Sequence, residues 1–120
     1  MNKCTTCLCF IFNPTIKDKV VEFFNAITND INVINNMIES GKNQEYNVNI
    51  NNMIRRTISD YLGHEEEIKK FLKDNKLEGF LEIVPEIHQS DIKPVLSLED
   101  DIIEFLYKSG IRMDLDYYIY

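Results

Sequence analysis

A chain of 120 residues with 44% hydrophobic and 28% charged side chains suits one globular domain, 1–120, and argues against disorder. No apolar run approaches the roughly 18 to 20 residues that span a bilayer, which excludes a membrane partner from the reading. The net charge of −7 is lopsided: residues 1–77 balance ten Lys/Arg against ten Asp/Glu, and residues 78–120 set three against ten. Such a surface repels nucleic acid and steers basic proteins toward itself.

The run from Cys4 to Phe12 follows Lys3 as a leader peptide would, but it holds Thr5 and Thr6 and meets Asn13-Pro14 without a small-residue cleavage site. It reads as a first strand of a cytoplasmic protein. Pro14 and Thr15 then open a helix carrying Ile16, Val20, Phe23, Phe24 and Ile27 at helical spacing. In DINVINNMIES two readings stay open. Ile31, Ile34 and Ile38 extend the helix to a cap at Gly41, or Asn29-Asp30 ends it and residues 31–37 form a strand.

Alternation of Tyr46, Val48 and Ile50 with Asn47 and Asn49 predicts a strand in NQEYNVNI. Residues 51–62 return to helical period through Met53, Ile54, Ile58, Tyr61 and Leu62, and Gly63 stops them. Glu65, Glu66 and Glu67 open another helix at the positive end of its dipole, with Ile68, Phe71 and Leu72 inward. GFLEIVPEIH reads as a strand whose Pro85 marks an edge or a bulge. Ser97 is placed to cap a helix from Leu98 to about Lys108 that Gly110 ends. In the closing IRMDLDYYIY, alternation sends Ile111, Met113, Leu115, Tyr117 and Ile119 inward and Arg112, Asp114, Asp116, Tyr118 and Tyr120 outward. The expected fold class is α+β: a mainly antiparallel sheet with helices packed on one face.

Few motifs carry chemistry. Cys4, Cys7 and Cys9 offer three thiols, but a structural zinc site needs four ligands, and in a strand Cys4 points away from the other two. HEEEI at 64–68 lacks the second His of a zincin, and four scattered glycines cannot build a phosphate loop. No nucleophile motif accompanies His64 or His88. Asp114 and Asp116 would suit magnesium only with further oxygen ligands, such as Asp91, Asp100 or Asp101. On an edge strand, paired carboxylates also discourage edge-to-edge association.

Residues 79–120 carry a further pattern: Pro94, Leu96 and Ser97 in a turn, a short helix, Gly110, and Asp114, Asp116 and Tyr118 in the last strand. This resembles a bacterial domain family of unknown function associated with polymorphic-toxin immunity genes. Its members close with a Pro-x-Leu-Ser turn, a helix, a Gly and an Asp-x-Asp-x-Tyr strand. The Trp-containing middle usual in that family has no counterpart here, where Tyr46 stands nearest to it. The resemblance implies a fold and a genomic setting, not an active site.

The expectation is therefore a non-catalytic binding protein, with no cofactor, that neutralises a cognate toxin by covering its basic active site. Candidate contacts are Glu99, Asp100, Asp101 and Glu104 on the last helix, and Asp114, Asp116 and Tyr118 on the last strand. The alternatives are a phage- or plasmid-encoded inhibitor of a host defence enzyme, a metal-dependent enzyme using Asp114 and Asp116, and a homodimeric scaffold.

Overall fold

The computed structural model describes residues 2–46, 49–90 and 96–120. Asp91 and Pro94, a candidate ligand and part of the family-like turn, and Val48, one of the alternating residues, fall outside these. Strand β1 (Lys3–Ile11) leads through a 3-10 turn into helix α1 (Lys17–Asn25), then β2 (Ile31–Ile34), β3 (Met37–Tyr46), α2 (Ile50–Ile58), α3 (Glu65–Asp74), β4 (Glu78–Ile87), α4 (Asp100–Ser109), β5 (Arg112–Leu115) and β6 (Tyr118–Ile119). The sheet order is β2-β3-β1-β4-β5, and β6 also pairs with β4. Every pairing is antiparallel except those of β5 and β6 with β4. The class is α+β, as expected.

β1 is central, and alternation divides its side chains between the two faces. Thr6, Leu8 and Phe10 point into a core shared with Phe24 of α1, Ile54 of α2, Ile68 of α3 and Ile102 of α4. All four helices thus cover one face. Phe10 lies 4.3 Å from Phe24, and Phe23 stacks on Phe71 at 3.8 Å, tying α1 to β1 and to α3. A polar seam runs through this core: Thr6 and Thr57 share a 2.7 Å hydrogen bond, Tyr61 donates to Ser40 at 2.8 Å, and Ser40 donates to the Asp30 carbonyl at 2.6 Å.

The open reading of DINVINNMIES resolves as strand. Asn35 adopts a φ of 55° in a two-residue turn, which asparagine tolerates, so Ile31–Ile34 folds back on Met37–Ser40 as a hairpin. The strand expected over NQEYNVNI is a correction: β3 starts earlier and ends at Tyr46, and Ile50 already belongs to α2. Asn49 causes that switch, because its side chain accepts the Asn52 N–H at 3.2 Å as an N-cap. β3 also bulges. Gly41 and Lys42 together oppose Cys7, and Gly41 takes a φ of +65°.

Three further expectations change. α4 begins at Asp100, not Leu98, and Ser97 does not cap it. Asn51 of α2 instead holds its entrance, donating to the Ser97 carbonyl at 2.8 Å and accepting the Glu99 N–H at 3.0 Å. Pro85 sits on an interior strand. Ile83 and Ile87 accept from the N–H groups of Asp116 and Tyr120, so the missing donor of Pro85, between them, faces the break between β5 and β6. Finally, the inward face expected for the last strand is only partly buried. Ile111 is buried and Leu115 packs against the core, yet Met113 is 42% exposed and Ile119 50% on the strands at the sheet's edge.

Candidate functional site

The face away from the helices is open, and register fixes what it shows. Pairing sets Cys9 opposite Glu39 and Phe80, Cys7 opposite Glu82, and Glu82 opposite Asp114. Lys3 pairs with Glu86, which lies beside Tyr118. Acids from three strands therefore gather on one surface: Glu39, Glu82, Glu86 and Asp114, with Asp116 at the β5–β6 break.

The charges there are unevenly compensated. Lys3 meets Glu86 at 3.3 Å and Lys42 meets Glu39 at 3.9 Å. Among the described residues, Glu82, Asp114 and Asp116 make no ion pair. Partial burial, then the nearby Asp114 and Glu39 carboxylates, raises the Glu82 pKa above its ordinary value. The Asp116 carboxylate beside Tyr118 similarly raises that phenol.

The seven sequence candidates separate into two groups. Asp114, Asp116 and Tyr118 lie together on the open face and its border. Glu99, Asp100, Asp101 and Glu104 sit on the helical layer, and part of their charge is taken up locally. Arg55 of α2 reaches Glu99 at 3.1 Å and Asp101 at 2.9 Å, and Lys108 reaches Glu104 at 2.6 Å. Its hydrogen bonds to Arg55 hold Asp101 below the usual carboxylate range.

At the centre of the open face are Cys7 and Cys9, both almost fully buried beneath their neighbours, whereas Cys4 faces the core. Both thiols and the Glu39 carboxylate have donor atoms within 4.8 Å of one another, and Glu82 Oε2 lies 4.0 Å from Cys9 Sγ. The separation of Cys4 from the other two was legible in the strand's alternation. Glu39 was not, because a polar, bulged β3 gives no period-two signal. For Glu82, the alternation in FLEIVPEI is the signal that could have placed it opposite the core-facing residues.

No protein-family model, curated protein or solved structure matches this chain. Among the described residues no helix is long and apolar enough to cross a membrane.

Proposed function

We propose that this chain is a non-catalytic binding protein that docks a basic protein partner through the β5–β6 border and the adjoining open face. An immunity protein covering the active site of a cognate toxin fits this description. The supporting observation is the group Glu82, Asp114 and Asp116, three carboxylates on one border with no ion-paired cation among the described residues. Unneutralised charge of one sign speeds encounter with an opposite surface, and the exposed Tyr118 beside it supplies aromatic contact area. Glu99, Asp101 and Glu104, already engaged by Arg55 and Lys108, contribute less.

The test takes the partner identified from the native host and compares two double variants. Reversing Asp114 and Asp116 to Lys is expected to slow association about tenfold or more at low salt and to flatten its salt dependence. Reversing Asp100 and Asp101 has the smaller effect. Unchanged association for the first variant rejects the reading. A toxin gene beside this one favours immunity, and a phage operon favours inhibition of a host enzyme.

A further inference from the structure

We propose that Cys7, Cys9, Glu39 and Glu82 form a four-ligand site for a borderline-soft divalent cation of the zinc class on the open face of the sheet. The proposal is independent of any protein partner. It starts from geometry: β1 is regular against β4, so Cys7 and Cys9, two apart, project to the same side. Glu39 comes in from β3 opposite Cys9, and Glu82 from β4 opposite Cys7. The three donor atoms of Cys7, Cys9 and Glu39 all lie within 4.8 Å of one another, and Glu82 Oε2 is 4.0 Å from Cys9 Sγ. Metal–sulfur bonds of about 2.3 Å and metal–oxygen bonds of about 2.0–2.2 Å place tetrahedral donors roughly 3.5–3.8 Å apart. Register has already brought the four side chains to one patch, and rotation of the Glu39 and Glu82 carboxylates would bring their oxygens to that spacing.

The donor set selects the ion. Two thiolates disfavour magnesium and calcium, which prefer oxygen alone, and an iron–sulfur cluster calls for more sulfur than two residues give. The competing use of the thiols is a Cys7–Cys9 disulfide. Residues two apart in an extended strand have Cα atoms about 6.6 Å apart, at the far end of disulfide geometry. The pair is better held as a dithiol.

Electrostatics points the same way. The groups facing the site are Lys42 from the β3 bulge, Asp114 on β5 and Asp116 beyond it. A dication relieves the repulsion among Glu39, Glu82 and Asp114, and Lys42 offsets part of the remaining negative charge. Binding converts two thiols to thiolates and releases their protons to solvent, so affinity rises with pH. Four protein donors leave no open position, and the ion would pin β1 to both of its neighbours.

Cobalt(II) titrated into the reduced, chelator-treated full chain is the probe, with zinc(II) as competitor. The expected result is one ion per chain, a thiolate-to-cobalt charge-transfer band, tetrahedral visible absorption, and loss of both when zinc is added. Cys9→Ser should weaken binding at least roughly 100-fold, and Glu39→Gln roughly 10- to 100-fold. Cys4→Ser, on the opposite face, should leave the spectrum unchanged. Glu39→Gln is isosteric and partly exposed, so it reports even if Cys9→Ser does not fold. No thiolate band at millimolar cobalt overturns the proposal. So does a band that survives in both Cys9→Ser and Glu39→Gln, or one that Cys4→Ser abolishes.

Discussion

Gly41 shows how much one residue can be asked to do. Its left-handed φ of +65° makes the bulge in β3, and a Cβ there would lie 2.2 Å from the Thr57 carbonyl oxygen of α2. Gly41→Ala therefore meets backbone that cannot move aside, and is expected to cost about 2–4 kcal/mol in urea unfolding. Gly110 has a similar φ of +72° at the end of α4, but its nearest neighbour is the flexible Lys69 side chain at 3.4 Å. Gly110→Ala should cost only about 1 kcal/mol. Equal losses for the two would show that contact with α2 is not what constrains β3. Glu82 offers a test of the acidic face. Its folded-state pKa lies above the ordinary 4.5, so the unfolded chain gives up this proton first and stability falls as pH rises through that range. In metal-free protein, Glu82→Gln should raise the melting temperature by about 1–2 °C near pH 7, and the gain should vanish below about pH 4. A gain that persists in acid would have another origin.

At the scale of elements, the entrance of α4 is held from outside. Glu99 supplies no side-chain cap, and Asn51 of α2 clamps the backbone on both sides of Leu98, just before the helix. Asn51→Ala is expected to cost about 1 kcal/mol and to speed amide exchange in the first turn of α4, seen by hydrogen–deuterium exchange. The exposed Arg55 bridge beside it should matter less than that, since solvent screens ion pairs of this kind. Unaltered exchange in Asn51→Ala would mean that packing of Ile102 and Phe105 alone sets the helix start. The same clamp explains why Ser97 looked like the cap: it is a good capping residue three positions before Asp100, and no local pattern reveals a partner 46 residues away.

For the whole molecule, the elements with strong periodicity were legible. β1, α3 and β4 lie close to where LCFIF, EEEIKKFL and GFLEIVPEI put them. The middle was not, because Ile27, Ile31, Ile34 and Ile38 satisfy helical spacing while two of the intervening asparagines make a hairpin turn. The acidity of the C-terminal third was visible, but not its division between two layers, since residue spacing cannot say that Asp101 faces Arg55 while Asp114 stands beside Glu82. That division makes the charge-reversal comparison informative: the two pairs of acids should act separately on partner association, and their combined effect should be close to the sum of the single ones.

Order of synthesis gives the central strand a consequence of its own. β1 is translated well before β3 and β4, the two strands that flank it, so even once β3 has paired with it the other backbone edge at Leu8 and Phe10 stays open until residue 81 has left the ribosome. At about 5–20 residues per second this lasts several seconds. During that interval the segment LCFIF is the part of the nascent chain on which a chaperone would have most to shield.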